Sequence, residues 1–289
     1  MAFEVSVERD AEFATEGGQP LRWDVYRPVA ASGSLPVALV FHGGGWRRGD
    51  RASMEAAATA LASRGYLALA VGYRLLSDDA PWPAQVNDVK TSIRALRARA
   101  AELAADADHV ALVGFSAGAH ISLLAAATAN SDTTFAGGDR RYGNESESVG
   151  AVAAFFPPVT SEGVGSMLGL TGDAAAEAAP LEYAARGVLP PVLLLHGTND
   201  GLVPHEPNSV ALFEAVRAAG AAADLRLFHG MQHEFVRLPG MIDPTMHDVA
   251  AFLDRHGVHT EAFARALEDA DRAWAERVAA RAAGGGPAR

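Results

Sequence analysis

Short apolar runs alternate with longer segments of helical periodicity along most of the chain. The apolar runs have the length of buried strands and lie at residues 36–41, 66–71, 109–113, 149–156, 191–195 and 224–229. The segments between them predict helices at about 51–64, 84–104, 116–129, 206–219 and 245–256. This alternation is typical of an α/β fold, in which a mostly parallel sheet carries helices on both faces.

Three further segments lie outside the alternation. Phe3–Val7 and Leu21–Tyr26 alternate apolar and polar residues, so they predict antiparallel edge strands. Residues 160–189 are rich in glycine and then in alanine, between the strand at 149–156 and the strand at 191–195. We interpret residues 160–189 as a short cap over a pocket, with a plain crossover helix as the alternative.

The main domain is expected to occupy residues 1–258, followed by a helical extension over residues 259–289. Phe263, Leu267 and Trp274 recur at helical spacing in this extension. Large apolar groups on one face of such a helix need a surface to pack on. We expect that surface to be the chain's own domain, with a second subunit or the pocket rim as alternatives, and we expect the extension to end in disorder.

Composition narrows the class of protein. The apolar fraction of 49% and the charged fraction of 20% are those of a globular protein, and no apolar run is long enough for a membrane span. The net charge of −11 argues against nucleic acid and anionic membranes as partners. The chain has no cysteine and begins without a signal-peptide pattern, so a cytoplasmic location is expected.

The most informative motif is Gly-Phe-Ser-Ala-Gly at residues 114–118, which has the form G-x-S-x-G. It follows the apolar run at 109–113 and precedes a helical segment. A serine on such a strand–turn–helix junction has an exposed hydroxyl, and the glycines let the backbone turn tightly. Ser116 is therefore the candidate nucleophile.

A glycine-rich loop, His-Gly-Gly-Gly-Trp at residues 42–46, follows the apolar run at 36–41. Backbone N–H groups there are not covered by side chains, so they can face a developing negative charge. With the N–H of Ala117, the amides of Gly43 and Gly44 are the candidate oxyanion hole. A flexible glycine turn is the alternative.

An acid and a histidine follow in the order expected for a serine nucleophile. Asp200 comes after the apolar run at 191–195, and His233 comes after the run at 224–229. We therefore predict that His233 is the base and Asp200 the acid that orients it. Asp243 and Asp248 are the rival acids.

These motifs together resemble the α/β-hydrolase esterases and lipases, close to the hormone-sensitive-lipase-like and bacterial feruloyl-esterase-like branches. The resemblance rests on HGGGW at 42–46, GFSAGAH at 114–120 and LLHGTND at 194–200, and on the His233 loop. It covers about residues 35–257. It implies an α/β-hydrolase fold and cleavage of carboxylic esters, with no cofactor and no metal.

The motifs are compatible with several classes of substrate. A small-molecule ester is expected, while the loop at 42–46 also fits arylformamidases of the kynurenine type. A tailoring hydrolase acting on natural-product acyl groups shares the same motifs, and a hydrolase-like binding module is the non-enzymatic alternative. The candidate pocket walls are Trp46 at the end of the glycine-rich loop, Trp82 before the predicted helix at 84–104, His120 one turn after Ser116, and Pro157 and Pro158 at the end of the strand at 149–156.

Overall fold

A computed structural model describes residues 2–131, 135 and 140–284 of the chain. The strands are β1 (Val5–Glu16), β2 (Gln19–Pro28), β3 (Leu35–Phe41), β4 (Leu67–Val71), β5 (Ala105–Phe115), β6 (Ala151–Phe155), β7 (Val192–Gly197) and β8 (Ala223–Phe228). The α-helices are α1 (Glu55–Ala62), α2 (Ala84–Ala98), α3 (Ala100–Leu103), α4 (Ala117–Ala127), α5 (Ser161–Leu168), α6 (Gly172–Glu177), α7 (Pro180–Ala184), α8 (Ala211–Ala218), α9 (Ile242–Leu253) and α10 (Thr260–Gly284). Short 3₁₀ helices lie at Arg51–Met54, Leu76–Asp78, Arg140–Tyr142 and Phe235–Arg237, and π-helical turns at Glu206–Val210 and Asp254–Val258.

The strands of the described residues form one sheet in the order β1-β2-β4-β3-β5-β6-β7-β8. The pairs β1–β2 and β2–β4 are antiparallel, and every other pair is parallel. The predicted mostly parallel sheet is confirmed. Because β3 and β5 are neighbours, with Phe41 opposite Gly114, the glycine-rich loop and the serine turn leave the sheet side by side.

The N-terminal hairpin is longer than the sequence pattern predicts. β1 and β2 meet at Gly17-Gly18, and both glycines have positive φ, as tight hairpin turns require. The register shifts twice along β1, between Glu8 and Ala11 and between Glu12 and Ala14. These bulges break the alternation of apolar and polar residues, so the pattern marked only part of each strand.

Alternate residues along the strands fill two separate cores. In β3, Val37 and Leu39 face one core, and Ala38 and Val40 face the other. The first core is closed by α2, α4, α7 and α8, and the second by α1 and α9. Helices therefore cover both faces of the sheet, as predicted.

Two predicted helices begin with a turn of another type. The segment at 51–64 starts as a 3₁₀ turn, in which Asp50 Oδ1 accepts from the Ala52 N–H at 2.7 Å. The segment at 206–219 starts as a π-helical turn that contains Pro207, which has no N–H to donate. Side-chain capping thus accompanies the first turn of one segment, and a proline that of the other.

The segment at 160–189 contains the short helices α5, α6 and α7 in place of one continuous helix. α5 ends at Gly169, whose φ of +74° is a left-handed conformation that suits glycine. α7 anchors the segment, because Tyr183 and Ala184 join the core that also contains α4.

The expectation that the C-terminal helix packs along its own domain is wrong beyond its first turn. Phe263 lies against His256, with ring centroids 5.7 Å apart, and under the Arg255 guanidinium. Leu267 and Trp274 are 51% and 58% exposed. The end predicted to be disordered begins at Gly284, which is the last residue of α10, and its remainder at 285–289 lies outside the described residues.

None of the helices in the described part of the chain is long and apolar enough to cross a membrane. The cytoplasmic location stays a prediction.

Candidate active site

Ser116 occupies a strained turn between β5 and α4. Its φ of +52° and ψ of −115° lie where non-glycine residues are rare. Hydrogen bonds on both sides maintain this conformation, because the Ser116 N–H donates to Phe155 O at 2.9 Å and the His120 N–H donates to Ser116 O at 3.0 Å. The backbone of β6 and the first turn of α4 thus fix the serine from opposite directions.

The two glycines of the G-x-S-x-G motif are required by close backbone approach. A Cβ at Gly114 would lie 2.5 Å from Ala119 N and Cα, in the first turn of α4. A Cβ at Gly118 would lie 2.4 Å from the carbonyl oxygens of Phe41 and His42. α4 therefore sits directly on the ends of β3 and β5, and any side chain at either glycine would push the helix away.

Ser116, His233 and Asp200 form a continuous hydrogen-bonded chain. Ser116 Oγ lies 3.0 Å from His233 Nε2, and His233 Nδ1 lies 2.6 Å from Asp200 Oδ2. The carboxylate accepts from Nδ1–H, which leaves Nε2 to accept the serine proton. All three residues follow the carboxyl ends of parallel strands, so the parallel sheet brings together residues far apart in the sequence.

The imidazole of His233 is held on its face as well as at its nitrogens. The Phe156 ring lies 4.6 Å from the His233 ring, centroid to centroid. Phe156 and Glu234, the residue that follows His233, both have positive φ, at 40° and 56°. Backbone strain of this kind is frequent at functional sites.

Asp200 accepts more hydrogen bonds than the orienting role alone requires. Its Oδ1 accepts from the Leu202 N–H at 3.0 Å and the Val203 N–H at 2.9 Å, and its Oδ2 also lies 3.2 Å from His196 Nε2. Burial favours the protonated acid, but the hydrogen bonds from His196, His233 and Val203 outweigh it and hold the pKa of Asp200 well below its usual value. Asp200 is therefore ionised throughout the neutral range.

His196 is the residue of this site whose contact the sequence does not reveal. It is fully buried, and its Nε2 lies 2.8 Å from Val203 O as well as near Asp200. Its Nδ1 lies 2.7 Å from Ser209 Oγ. Because both neighbours of Nε2 are acceptors, Nε2 carries the proton and Nδ1 accepts from the serine hydroxyl. The signal in the sequence that could have indicated this contact is the position of His196 four residues before Asp200, in His-Gly-Thr-Asn-Asp.

The rival acids lie elsewhere. Asp243 pairs with Arg64 at 2.8 Å, and Asp248 lies 3.9 Å from Arg226. The side chains of Asp243 and Asp248 are 77% and 40% exposed, unlike the fully buried side chain of Asp200.

The glycine-rich loop lies against the serine. A Cβ at Gly43 would lie 3.2 Å from Ser116 Cβ, and one at Gly44 would lie 1.9 Å from Arg48 O. His42 steadies the loop, because its Nδ1 lies 2.7 Å from Gly43 O and its ring stacks on Tyr73 at 4.3 Å. Burial lowers the pKa of His42, so the ring is neutral and donates Nδ1–H to the Gly43 carbonyl.

Ala117 is the third residue of the candidate oxyanion hole. It is the first residue of α4, and the first N–H groups of a helix have no acceptor within the helix. The candidate oxyanion-hole residues thus lie on two elements, the glycine-rich loop, in which Gly43 lies against Ser116, and the first turn of α4.

Trp46, His120 and the segment at 160–189 are linked by hydrogen bonds. Trp46 Nε1 donates to His120 Nδ1 at 3.2 Å, and His120 Nε2 donates to Ala178 O at 2.7 Å. Burial lowers the pKa of His120 to about 4, so its ring is neutral and has a single proton, on Nε2. Both of its nitrogens are already used, and His120 serves here to connect three elements.

The remaining predicted pocket residues fall into two places. Trp82 lies 5.4 Å from His120, ring centroid to ring centroid, so it joins the cluster around Trp46. Pro157 and Pro158 are buried beyond the end of β6. The structure therefore brings Trp46, Trp82 and His120 together in one cluster, whereas the two prolines directly follow β6.

Residues 23–216, more than half of the chain, match the family model described as BD-FAE. The chain belongs to the BD-FAE family.

Known relatives are named as esterases or ester hydrolases. Esterase LipC of Mycobacterium tuberculosis is 31% identical over 237 residues, which cover 76% of this chain and 58% of the relative. LipM of the same organism, a probable carboxylic ester hydrolase, is 29% identical over 65% of this chain and 47% of its own length. The chain thus spans about half the length of these relatives.

Solved structures of an esterase show the same fold. The butyrate-bound Est2 of Thermogutta terrifontis superimposes with a TM-score of 0.76 and 24% identity, over 89% of this chain and 95% of the other. The propionate-bound form gives a TM-score of 0.74 and 26% identity over the same shares. The predicted α/β-hydrolase fold of the esterase type is confirmed.

Proposed function

We propose that this protein is a carboxylic ester hydrolase that uses Ser116 as its nucleophile. The observation that carries the proposal is the hydrogen-bonded chain from Ser116 Oγ through His233 to Asp200, on a strained turn beside a glycine-rich loop. Its esterase relatives support the reaction class.

In the first half of the reaction, Ser116 Oγ attacks the ester carbonyl carbon while His233 Nε2 takes the hydroxyl proton. Asp200 is ionised and lies against Nδ1–H, so it stabilises the imidazolium that forms. The tetrahedral intermediate then breaks its bond to the alkoxy oxygen. His233 returns the proton to that oxygen, and the alcohol leaves.

The negative oxygen of the tetrahedral intermediate needs fixed donors. We assign this role to the amides of Gly43, Gly44 and Ala117. Gly43 lies against Ser116 in a loop that His42 and Tyr73 hold in place, and Ala117 begins α4 directly after the serine. One such donor is typically worth about 2.7–4 kcal/mol of transition-state stabilisation.

The second half of the reaction repeats the same steps with water. His233 takes a proton from water as the water oxygen attacks the acyl-enzyme carbonyl, and returns a proton to Ser116 Oγ as the acid leaves. No residue beyond the same three is needed to move protons.

Short acyl groups are the substrate class that the comparisons support best. The Est2 form at 26% identity holds propionate, a carboxylate of the size that hydrolysis of a short acyl ester would release. A panel of p-nitrophenyl esters from acetate to decanoate should therefore show its highest kcat/KM among the short chains. N-formylkynurenine and a feruloyl ester belong in the same panel, and a higher kcat/KM on the formamide would replace the ester assignment.

The nucleophile is tested by covalent labelling. Est2 forms have been phosphorylated by paraoxon, so the same reagent is a suitable probe alongside a fluorophosphonate. Wild type and Ser166→Ala, a control at an exposed serine of α5, should be labelled, and Ser116→Ala should not. Ser116→Ala should also lose several orders of magnitude of ester turnover while remaining folded. Labelling of Ser116→Ala, or turnover by it near the wild-type rate, would refute the assignment.

A further inference from the structure

A polar cavity lies on the other side of the glycine-rich loop from Ser116. Its volume is about 190 Å³, and it is partly open to solvent. Of the described residues that form its wall, none belongs to the proposed triad of Ser116, Asp200 and His233. Residues of β2, of the loop after β3 and of the turn after β4 form the wall, and its charged residues are Arg22, Asp50, Arg51, Arg74 and Asp78, beside His42. We call it the hairpin cavity.

The order of the strands explains the position of this cavity. β3, which leads into the glycine-rich loop, has β5 and Ser116 on one side, and β4 followed by β2 on the other. β2 runs antiparallel to β4, with Trp23 opposite Val71, so the residues of β2 before Trp23 lie beside the carboxyl end of β4. The hairpin cavity is therefore at the carboxyl edge of the parallel strands, where open α/β sheets place their ligands.

His42 contributes a buried nitrogen without a partner to the wall. The residue is 2% exposed, and its Nδ1–H donates to Gly43 O at 2.7 Å. The ring is neutral because burial disfavours its charged form, so Nε2 has no proton and is an acceptor. In the described part of the chain, Nε2 has no hydrogen-bond partner. A buried acceptor without a donor is unfavourable, so this nitrogen calls for a ligand that donates a hydrogen bond.

The charges around the cavity argue against an anion as the ligand. Arg74 donates Nη2 to Asp88 Oδ1 at 2.6 Å, and Arg51 donates Nε to Asp24 Oδ1 at 3.0 Å. Two of the three arginines in the wall are therefore already neutralised by carboxylates, and Asp50 adds a further negative charge. An anion would meet no excess of positive charge here. A phosphate or a carboxylate would also be unable to donate to an imidazole nitrogen.

The wall offers donors and acceptors together. Arg22 keeps guanidinium N–H groups for a ligand, because its nearest carboxylate contact is to Glu12 at 3.7 Å. Asp78 accepts from the Leu75 N–H through Oδ2, which leaves Oδ1 as an acceptor. A hydroxyl group both donates and accepts, so adjacent hydroxyls on one small molecule satisfy an arginine, a carboxylate and an imidazole nitrogen at once.

We infer that the hairpin cavity binds a small neutral polyhydroxylated molecule, one hydroxyl of which donates to His42 Nε2 while others meet Arg22 and Asp78. The same imidazole donates to the Gly43 carbonyl, and a hydrogen bond accepted at one ring nitrogen strengthens the bond donated at the other. The ligand would thus act on the glycine-rich loop from the side opposite Ser116. That consequence for catalysis rests on the proposed function, whereas the binding itself does not.

NMR of the full chain with ¹⁵N-labelled histidine rings tests the binding, with glycerol and xylitol as probes. The Nε2 resonance of His42, assigned from its loss in His42→Gln, should shift with a saturable dependence on polyol concentration. A dissociation constant in the millimolar range is expected for a ligand of so few atoms. The exposed His247 should show no saturable shift. Polyols stabilise folded proteins without binding them, so thermal stability is not the readout.

Two arginine variants provide a matched comparison. Arg22→Leu removes a charged donor from the wall and should weaken polyol binding at least about tenfold. Arg226→Leu is the control, because Arg226 also lies on a strand, is 49% exposed against 41% for Arg22, and is 3.9 Å from a carboxylate, but is not part of the wall. Equal affinity in the two variants would overturn the inference.

The titration of the wild type decides the ligand class by itself. The absence of a saturable His42 shift with either polyol would overturn the inference, as would a shift that His247 shares. A saturable shift with inorganic phosphate or with free alanine, and none with polyols, would assign the cavity to an anion or to a zwitterion instead. None of these outcomes depends on ester hydrolysis, so a failure of the proposed function would be seen separately, in the labelling of Ser116.

Discussion

His196 and His233 both direct a ring nitrogen at the same oxygen of Asp200. His196 Nε2 lies 3.2 Å from Oδ2, and His233 Nδ1 lies 2.6 Å from it. His196 is therefore a positioning residue for the proposed acid, because its hydrogen bond favours the ionised carboxylate and fixes the orientation of that group. The Ser209 hydroxyl fixes its tautomer from the other side of the ring.

The contribution of His196 can be measured with a pair of variants. His196→Leu removes the donor to an ionised carboxylate, so we expect kcat/KM to fall about tenfold to a hundredfold, corresponding to about 1.5–3 kcal/mol. His196→Gln carries a donor at nearly the same position as Nε2 and should recover much of the loss. Equal losses in both variants, at equal thermal stability, would argue against a role through Asp200.

Asp200→Asn should reduce kcat far more than it changes stability. An asparagine at this position can donate to His233 Nδ1, which would leave the proton on Nε2 and the ring unable to accept from Ser116. In a comparable triad this change costs about 10⁴ in kcat. Steady-state ester hydrolysis measures the loss.

Asp243→Asn and Asp248→Asn are the matched controls, because these acids pair with Arg64 and Arg226 and not with His233. Each should retain nearly all activity. A severe loss in either, with Asp200→Asn active, would transfer the orienting role to that residue.

Gly43→Ala should slow the reaction by displacing the glycine-rich loop. The added Cβ would lie 3.0 Å from Phe115 O and 3.2 Å from Ser116 Cβ, so the loop must shift to accommodate it. Small displacements of catalytic groups cost up to about 100-fold in rate. We expect a fall in kcat of that order. Gly201→Ala, whose Cβ meets nothing within 4 Å, is the control for adding a methyl group.

Stability should depend on pH through His120. Burial lowers the pKa of His120 to about 4 in the folded state, against about 6.5 when unfolded. Between these values the unfolded chain binds more protons, so the free energy of unfolding falls as the pH falls. The loss between pH 6.5 and 4 is up to about 3 kcal/mol.

Urea denaturation of wild type and His120→Gln at pH 7 and pH 5 measures this dependence. The glutamine variant should show a weaker pH dependence, because it has no group to protonate in this range. His247→Gln, at an exposed histidine, should follow the wild type. Parallel curves for wild type and His120→Gln would contradict the assignment.

Two features of the site were predictable for local reasons. The run at 109–113, the glycines at 114 and 118 and the helix formers that follow are consecutive in the chain, so the strand, the turn and the helix can be inferred from adjacent residues. The glycine-rich loop at 42–46 was predictable for the same reason. The N-terminal hairpin was underestimated, since the bulges of β1 interrupt its pattern.

The sequence by itself determined the α/β class, the mostly parallel sheet and the candidates Ser116, Asp200 and His233, because strand and helix periodicity and short motifs are local properties. Only the tertiary structure decided which carboxylate faces His233, that His196 contacts the same carboxylate, and that His120 joins Trp46 to Ala178. It also decided that the apolar face of α10 is exposed. Such contacts join residues tens of positions apart, and burial depends on which surfaces pack together, so neither is encoded in the pattern of neighbouring residues.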